Sequence, residues 1–166
     1  MADSWDTQNQ SKKESLDYAT AKVKIAKYCA YQERAHYEVE QKLYSYGLYS
    51  DQVEELLAWL ITENYVNEIR YATAFVGGKF RIKKWGRVKI KQQLEQKRVT
   101  QICIEKALLV IDEEEYIATM QQLILQKWQT TSANNIYELR NKVAKFAIGK
   151  GYEADKVWPL AKTIIN

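Results

Sequence analysis

Apolar residues recur along this chain at spacings of three and four, and the pattern itself repeats. One frame reads Val39, Leu43, Gly47-Leu48, Val53, Leu57 and Leu60. It returns as Ile90, Leu94, Arg98-Val99, Ile104, Leu108 and Ile111, and again as Val143, Ala147, Gly151-Tyr152, Val157, Ala161 and Ile164. Each frame predicts two helices joined by a tight turn, because positions three and four apart share one helix face. A further amphipathic segment precedes each pair: Leu16 to Tyr31, Asn67 to Phe80 and Glu113 to Trp128. The expected fold is all-α, with three tandem three-helix repeats forming an elongated, curved helical array. The expected division is 1–15 as an N-terminal tail, 16–62 as the first repeat, 63–111 as a basic second repeat and 112–166 as the third.

The turns fit the frame. Gly47 and Gly151 fall where a helix ends in the left-handed conformation, which glycine adopts without steric cost. Arg98 occupies the same slot in the middle copy, so a different turn or local strain is expected there. Ser50 and Thr100 are placed to cap the helices that follow, and Asn67 to cap the helix it precedes. One proline and six glycines in 166 residues favour helices with short turns over a sheet rich in β-turns.

Composition narrows the class. Hydrophobic residues make up 46% and charged residues 28%, as in ordinary globular chains. Cys29 and Cys103 lie in apolar-periodic stretches and suit buried thiols in a reducing compartment. The longest apolar run, Ala107 to Ile111, is far below the ~20 residues that span a bilayer. Met1 to Ser15 is polar with one aromatic, Trp5, and has no apolar core of a signal peptide. The expected protein is a cytoplasmic monomer with no membrane contact.

Charge changes the picture more. Between Lys79 and Arg98 there are nine basic residues and one acid, Glu95, in a chain whose net charge is +4. Lys79, Arg81, Lys83, Lys84, Arg87, Lys89, Lys91, Lys97 and Arg98 thus form a one-signed block, and the remainder is mildly acidic. Such a block points to a polyanionic or acidic partner. The helix is expected to begin near Gly86, after a connection through Arg81 to Trp85, with Val88, Ile90 and Leu94 largely toward the core. Arg87, Lys91 and Lys97 are the expected outward contacts, extended by Arg70 and Lys84. Trp85 stands at a turn among cations, where base stacking, interface anchoring and local packing are all open. Trp59 and Trp158 sit on apolar faces and are expected in the core.

Catalytic chemistry leaves no comparable trace. The single histidine, His36, sits in the polar stretch Glu33 to Glu38 with no nucleophile marked nearby, and is expected at the surface. One histidine and two distant cysteines match no zinc spacing. Val76-Gly-Gly-Lys79 is no phosphate loop, lacking the full pattern and its strand. Asp112 to Glu115 is read as a helix start, where acids complement the dipole. Leu43, Gly47 and Val53 share the spacing of a DNA-reading helix-turn-helix, but the helix from Ser50 carries Asp51, Glu54 and Glu55 and would be repelled by phosphates. No catalytic residue, cofactor or metal is expected.

The run Asn64-Tyr-Val-Asn-Glu-Ile-Arg-Tyr-Ala-Thr-Ala-Phe75, followed by Trp85-Gly-Arg-Val-Lys-Ile90 and Leu94, resembles the signature of the RecX regulators. Upstream, Arg34-Ala-His-Tyr-Glu38-Val39-Glu-Gln-Lys42-Leu43 is similar to that family's first repeat. Downstream, Lys145-Phe-Ala-Ile-Gly-Lys-Gly151-Tyr152 is similar to the helix end of its third. The likeness runs from Ala19 to Ile165, with Ala35 in place of a hydroxyl residue and Arg98 in place of glycine. It implies three three-helix repeats and a role in DNA recombination, repair and the SOS response. The implied partner is the RecA recombinase filament on single-stranded DNA, with depressed filament extension, ATP hydrolysis, strand exchange and coprotease activity. Whether the basic helix meets recombinase, single-stranded DNA or both is left open by charge alone. A helical module acting through direct DNA contact and a passive helical scaffold are the alternatives.

Overall fold

The computed structural model describes residues 15–166, so Trp5 and most of the expected tail lie outside the described residues. Nine helices and no strand occur among them. They are α1 (Tyr18–Tyr31), α2 (His36–Ser45), α3 (Ser50–Thr62), α4 (Glu68–Lys83), α5 (Arg87–Gln96), α6 (Gln101–Leu108), α7 (Glu113–Gln129), α8 (Ile136–Gly149) and α9 (Ala154–Ile164). Each helix packs chiefly against the other two of its triplet. Among the described residues no hydrogen bond or ion pair joins the first triplet directly to the third. The result is an all-α array of three tandem three-helix repeats.

The repeated frame is the core. Val39, Ile90 and Val143 are buried, as are Leu43, Leu94 and Ala147, then Leu48, Val99 and Tyr152, then Val53, Ile104 and Val157. In the third helices the frame corrects slightly. Leu56, Ala107 and Ile165 are buried, whereas Leu57, Leu108 and Ile164 are half-buried beside them. A 3.6-residue period lets either a three- or a four-residue step reach the centre, and spacing alone does not choose. Leu94 is wholly enclosed. Leu94→Ala is expected to destabilise by about 2–5 kcal/mol, read as a lower midpoint in urea unfolding.

Two cores result. The first triplet encloses its own, built around Ile25, Leu43, Leu56 and Leu60. The second and third share one continuous core, in which Phe80, Tyr116 and Tyr152 stack with ring centroids 5.8 and 5.0 Å apart. Ala35 is the one buried residue of the first triplet that belongs to the larger core.

The helix ends follow local chemistry. Asp17, Asn67, Asp112 and Asn135 cap α1, α4, α7 and α8, each side chain accepting from a backbone N–H three residues on. Ser50 is not a cap: Tyr49 takes that position, and Gln52 Oε1 accepts from the Tyr49 N–H at 3.1 Å. Thr100 holds the cap position of α6, but its hydroxyl donates to Glu68 Oε2 at 2.6 Å instead. Ala35 offers α2 no side-chain cap, and Glu38 accepts its N–H at 3.2 Å. The helix α4 runs on to Lys83, so Arg81 and Lys83 are helical and the connection shrinks to Lys84–Gly86. Cations in a last turn complement the helix dipole, and the apolar face expected to end at Phe80 does not limit it.

The turns explain why glycine stands in two frames and arginine in the third. Residues 47, 98 and 151 all have positive φ, at 82°, 57° and 100°. At the third turn the backbone of Gly86 lies directly on Gly151: Gly86 N–H donates to Lys150 O at 2.9 Å and Val88 N–H to Gly151 O at 3.0 Å. A Cβ on Gly151 would sit 2.3 Å from Lys89 Cβ, and one on Gly86 2.2 Å from the Gly151 carbonyl. At the first turn, Leu16 N–H donates to Tyr46 O at 2.8 Å, and a Cβ on Gly47 would meet Ser15 Cβ at 2.6 Å. Among the described residues no such backbone bond reaches the middle turn. Arg98 therefore has room, keeps the left-handed turn at some steric cost, and rests its guanidinium 4.5 Å from the Tyr37 ring centre.

Candidate binding surface

The basic block divides by what each side chain touches. Four of its cations, with Arg70, serve the joins between repeats or a local helix pair. At the first seam Arg70 Nε donates to Glu33 at 2.5 Å and its Nη1 to Asn64 Oδ1 at 3.0 Å. Lys97 pairs with Glu38 there, and Arg98 covers Tyr37. At the second seam Arg87 Nη1 donates to Glu113 at 2.7 Å, Nη2 to Ile111 O at 3.3 Å, and the guanidinium lies 4.1 Å from the Tyr116 ring centre. Lys156 closes the same cluster on Glu113 at 2.6 Å. Hydrogen bonds from Lys156 and then Arg87 hold the Glu113 carboxyl below its ordinary value. A depressed carboxylate stabilises the seam above its unfolded pKa, and that contribution fades as pH falls through the folded value. Lys91 makes only a loose pair with Glu95, at 3.9 Å.

Arg87 and Lys97 are thus not the outward contacts expected of them. Lys97 shares Glu38's carboxylate from the far end of α5, and Arg87 folds back onto Tyr116. Val88, expected toward the core, is exposed: α5 turns Ile90 and Leu94 inward, and it is the Val88 backbone N–H that meets the Gly151 turn.

The remaining cations converge. Lys79 and Lys89 place their ammonium groups 5.0 and 4.7 Å from the Trp85 ring centre, while that ring packs against the core below. Arg81, Lys83 and Lys84 follow at the end of α4, all exposed. None of Lys79, Arg81, Lys83, Lys84 and Lys89 forms an ion pair among the described residues. The seam also brings the Lys150 main chain alongside: its carbonyl accepts from Gly86 N–H, and Tyr152 OH donates to Lys84 O at 3.2 Å, while the Lys150 ammonium lies 5.8 Å from the Phe146 ring centre. This join escaped sequence reasoning, since it packs the Gly151 turn against Gly86, 65 positions away.

Lys84 itself is left-handed, at φ 55°. A bulky non-glycine residue there costs roughly 1–2 kcal/mol in backbone strain, partly offset by glycine's larger unfolded-state freedom. Lys84→Gly is expected to raise unfolding stability by roughly 0.5–1 kcal/mol while removing one exposed cation. Urea unfolding checks the sign.

Several other expectations resolve here. Trp59 is half-buried against the first core, but Trp158 is exposed, since Val157 and Ala161 occupy the inner face of α9. His36 is half-buried, not at the surface, and its Nε2 is enclosed with no hydrogen-bond partner among the described residues. Burial pushes the Cys29 thiol up to about 11, so it stays protonated, while Cys103 is half-buried. Asp51, Glu54 and Glu55 are exposed on α3. Among the described residues no group of three or more His, Cys, Asp or Glu side chains could hold a metal ion. No described helix is long and apolar enough to cross a membrane.

A repeat array that commits part of its charge to its seams and gathers the rest at one corner defines a tandem three-helix repeat protein with an unpaired basic patch among the described residues. Known proteins place it more closely. The family profile described as the second three-helix domain of RecX matches residues 67–108, which contain α4, α5 and α6. The regulatory protein RecX of Clostridium tetani is 23% identical over 155 residues, covering 92% of this chain and 69% of that protein. The Clostridium botulinum protein of the same name is 31% identical over 132 residues, covering 78% of this chain and 61% of its own length. The crystal structure of RecX from Lactobacillus salivarius superposes with a TM-score of 0.80 at 22% identity, over 89% of this chain and 96% of that one. The chain belongs to the RecX family of regulatory proteins. It spans between 61% and 69% of the two clostridial proteins' lengths.

Proposed function

We propose that this protein binds the RecA filament assembled on single-stranded DNA and restrains it, lowering extension, ATP hydrolysis, strand exchange and coprotease activity. Family membership supplies the recombinase as partner. The observation that carries the assignment to a surface is the cluster of cations around Trp85, unpaired among the described residues and set within the repeat that the family profile covers. Exposed Lys and Arg on a rigid helix end engage either a partner's carboxylates or DNA phosphates. The protein acts in this reading as a cytoplasmic monomer without catalytic chemistry, and the proposed repeat limits are 16–62, 63–111 and 112–166.

The test is ATP hydrolysis by the same organism's recombinase on single-stranded DNA, titrated with this protein. Suppression that deepens with concentration supports the reading. Unchanged hydrolysis, with filament length also unchanged, would sink it. Tight binding to the oligonucleotide alone, without recombinase, would favour the direct-DNA module instead.

A further inference from the structure

We propose that a groove along α4 is a docking site for a protein segment presenting an apolar side chain between carboxylates. The proposal rests on the reading above and takes that segment to belong to the recombinase.

Two adjoining clefts of about 390 and 240 Å³ share Ala74, Phe75 and Lys79. Together they form one trough that begins beside Glu33 at the first seam and ends at Ile82 and Lys83. Its floor is apolar: Ala74, Gly78 and Ile82 fall four residues apart on one face of α4, with Phe75 alongside. Ile82 is 77% exposed, a branched aliphatic side chain in water amid lysines.

The floor is also open where the fold gives no reason for it to be. Gly77 and Gly78 stand in mid-helix, where each glycine costs about 1 kcal/mol relative to alanine. A Cβ on Gly78 would meet nothing within 4 Å, and one on Gly77 only Arg81 Nη1, at 3.6 Å. Gly149 is equally open, but it closes a helix rather than interrupting one.

Charge selects the occupant. At the seam end the acids are ion-paired, Glu38 with Lys97 and Glu33 with Arg70 through Oε1, while Glu33 Oε2 is enclosed with no partner among the described residues. Toward Ile82 the lining cations are Lys79 and Lys83, with no carboxylate paired to either among the described residues. A ligand that fits must therefore be apolar at its centre and negative where it meets those lysines. A nucleic acid strand meets only the second demand. It would also need aromatic faces to stack on, and Lys79 already lies over both Phe75 and Trp85.

The experiment uses the full chain and follows binding to the recombinase filament on single-stranded DNA, with binding to the bare oligonucleotide in parallel. Gly78→Leu projects a side chain into the trough from a Cβ that meets nothing within 4 Å and improves helix propensity, so its thermal midpoint is expected to rise. Its filament affinity is expected to fall at least about tenfold, and its oligonucleotide binding to stay unchanged. Ile82→Asp is expected to weaken filament binding similarly. Gly149→Leu, where a Cβ likewise meets nothing within 4 Å but which lies outside the trough, is expected to bind as wild type. Wild-type binding retained by Gly78→Leu overturns the groove and leaves the regulatory reading standing. Equal loss of oligonucleotide and filament binding in Gly78→Leu overturns it in favour of a nucleic acid occupant. A wild-type protein that does not bind the filament overturns both readings.

Discussion

Gly86→Ala is expected to destabilise the protein by about 3 kcal/mol or more, a severe effect for one added methyl group. The new Cβ would sit 2.2 Å from both the carbon and the oxygen of the Gly151 carbonyl and 2.4 Å from Tyr152 N. Those are backbone atoms fixed by hydrogen bonds of 2.9 and 3.0 Å from the Gly86 and Val88 N–H groups, so no side chain can swing aside to relieve the clash. Separation of the second and third repeats would expose the stack of Phe80, Tyr116 and Tyr152. Urea unfolding followed by far-ultraviolet circular dichroism measures the loss. A change below about 1 kcal/mol would show that the two turns part more easily than this geometry allows. Alanine at Gly149, where a Cβ meets nothing within 4 Å, serves as the benign comparison.

The second large effect is functional. Lys83→Glu combined with Lys84→Glu reverses two exposed cations that no described carboxylate engages, so fold stability is expected to move by little. Suppression of recombinase ATP hydrolysis is expected to require at least about ten times more protein, equivalent to roughly 1.4 kcal/mol of binding. If phosphates are the target, each lost contact also lowers the salt slope by about 1. The matched control reverses Asp51 and Glu54 to Lys on α3. Full activity in the first variant with loss in the control would put the working surface on the opposite side. Arg87 and Lys97 make poor test positions, because their removal would leave Glu113 with Lys156 alone and Glu38 without its ion pair at the seams, confounding binding with stability.

The helices and their threefold frame were legible because burial in a helix repeats every three or four residues, and Leu43, Leu94 and Ala147 obey that rule locally. What went unread depends on distance along the chain. Lys97 finds Glu38 59 positions away and Arg87 finds Glu113 26 away, and no local pattern announces either pairing. Trp158 and Val88 look apolar enough for a core, yet each lies outside one: α9 already turns Val157 and Ala161 inward, and α5 turns Ile90 and Leu94. The departure at Arg98 was visible in sequence, but its cause was not. Glycine is demanded where another stretch of main chain lies against the turn, and the middle turn has none among the described residues.

That same rule bears on assembly. In an array of like units, every uncovered turn is an invitation to polymerise: a second molecule presenting the right strip of main chain could add on end to end, and a contact of that head-to-tail kind has no built-in stopping point. Here Leu16 donates to Tyr46 O as Gly86 donates to Lys150 O, with Ser15 seated against Gly47. The chain's own Ser15–Leu16 segment thus takes at the first turn the place that Gly86 takes at the third, and a second copy could pair with that turn only by displacing it.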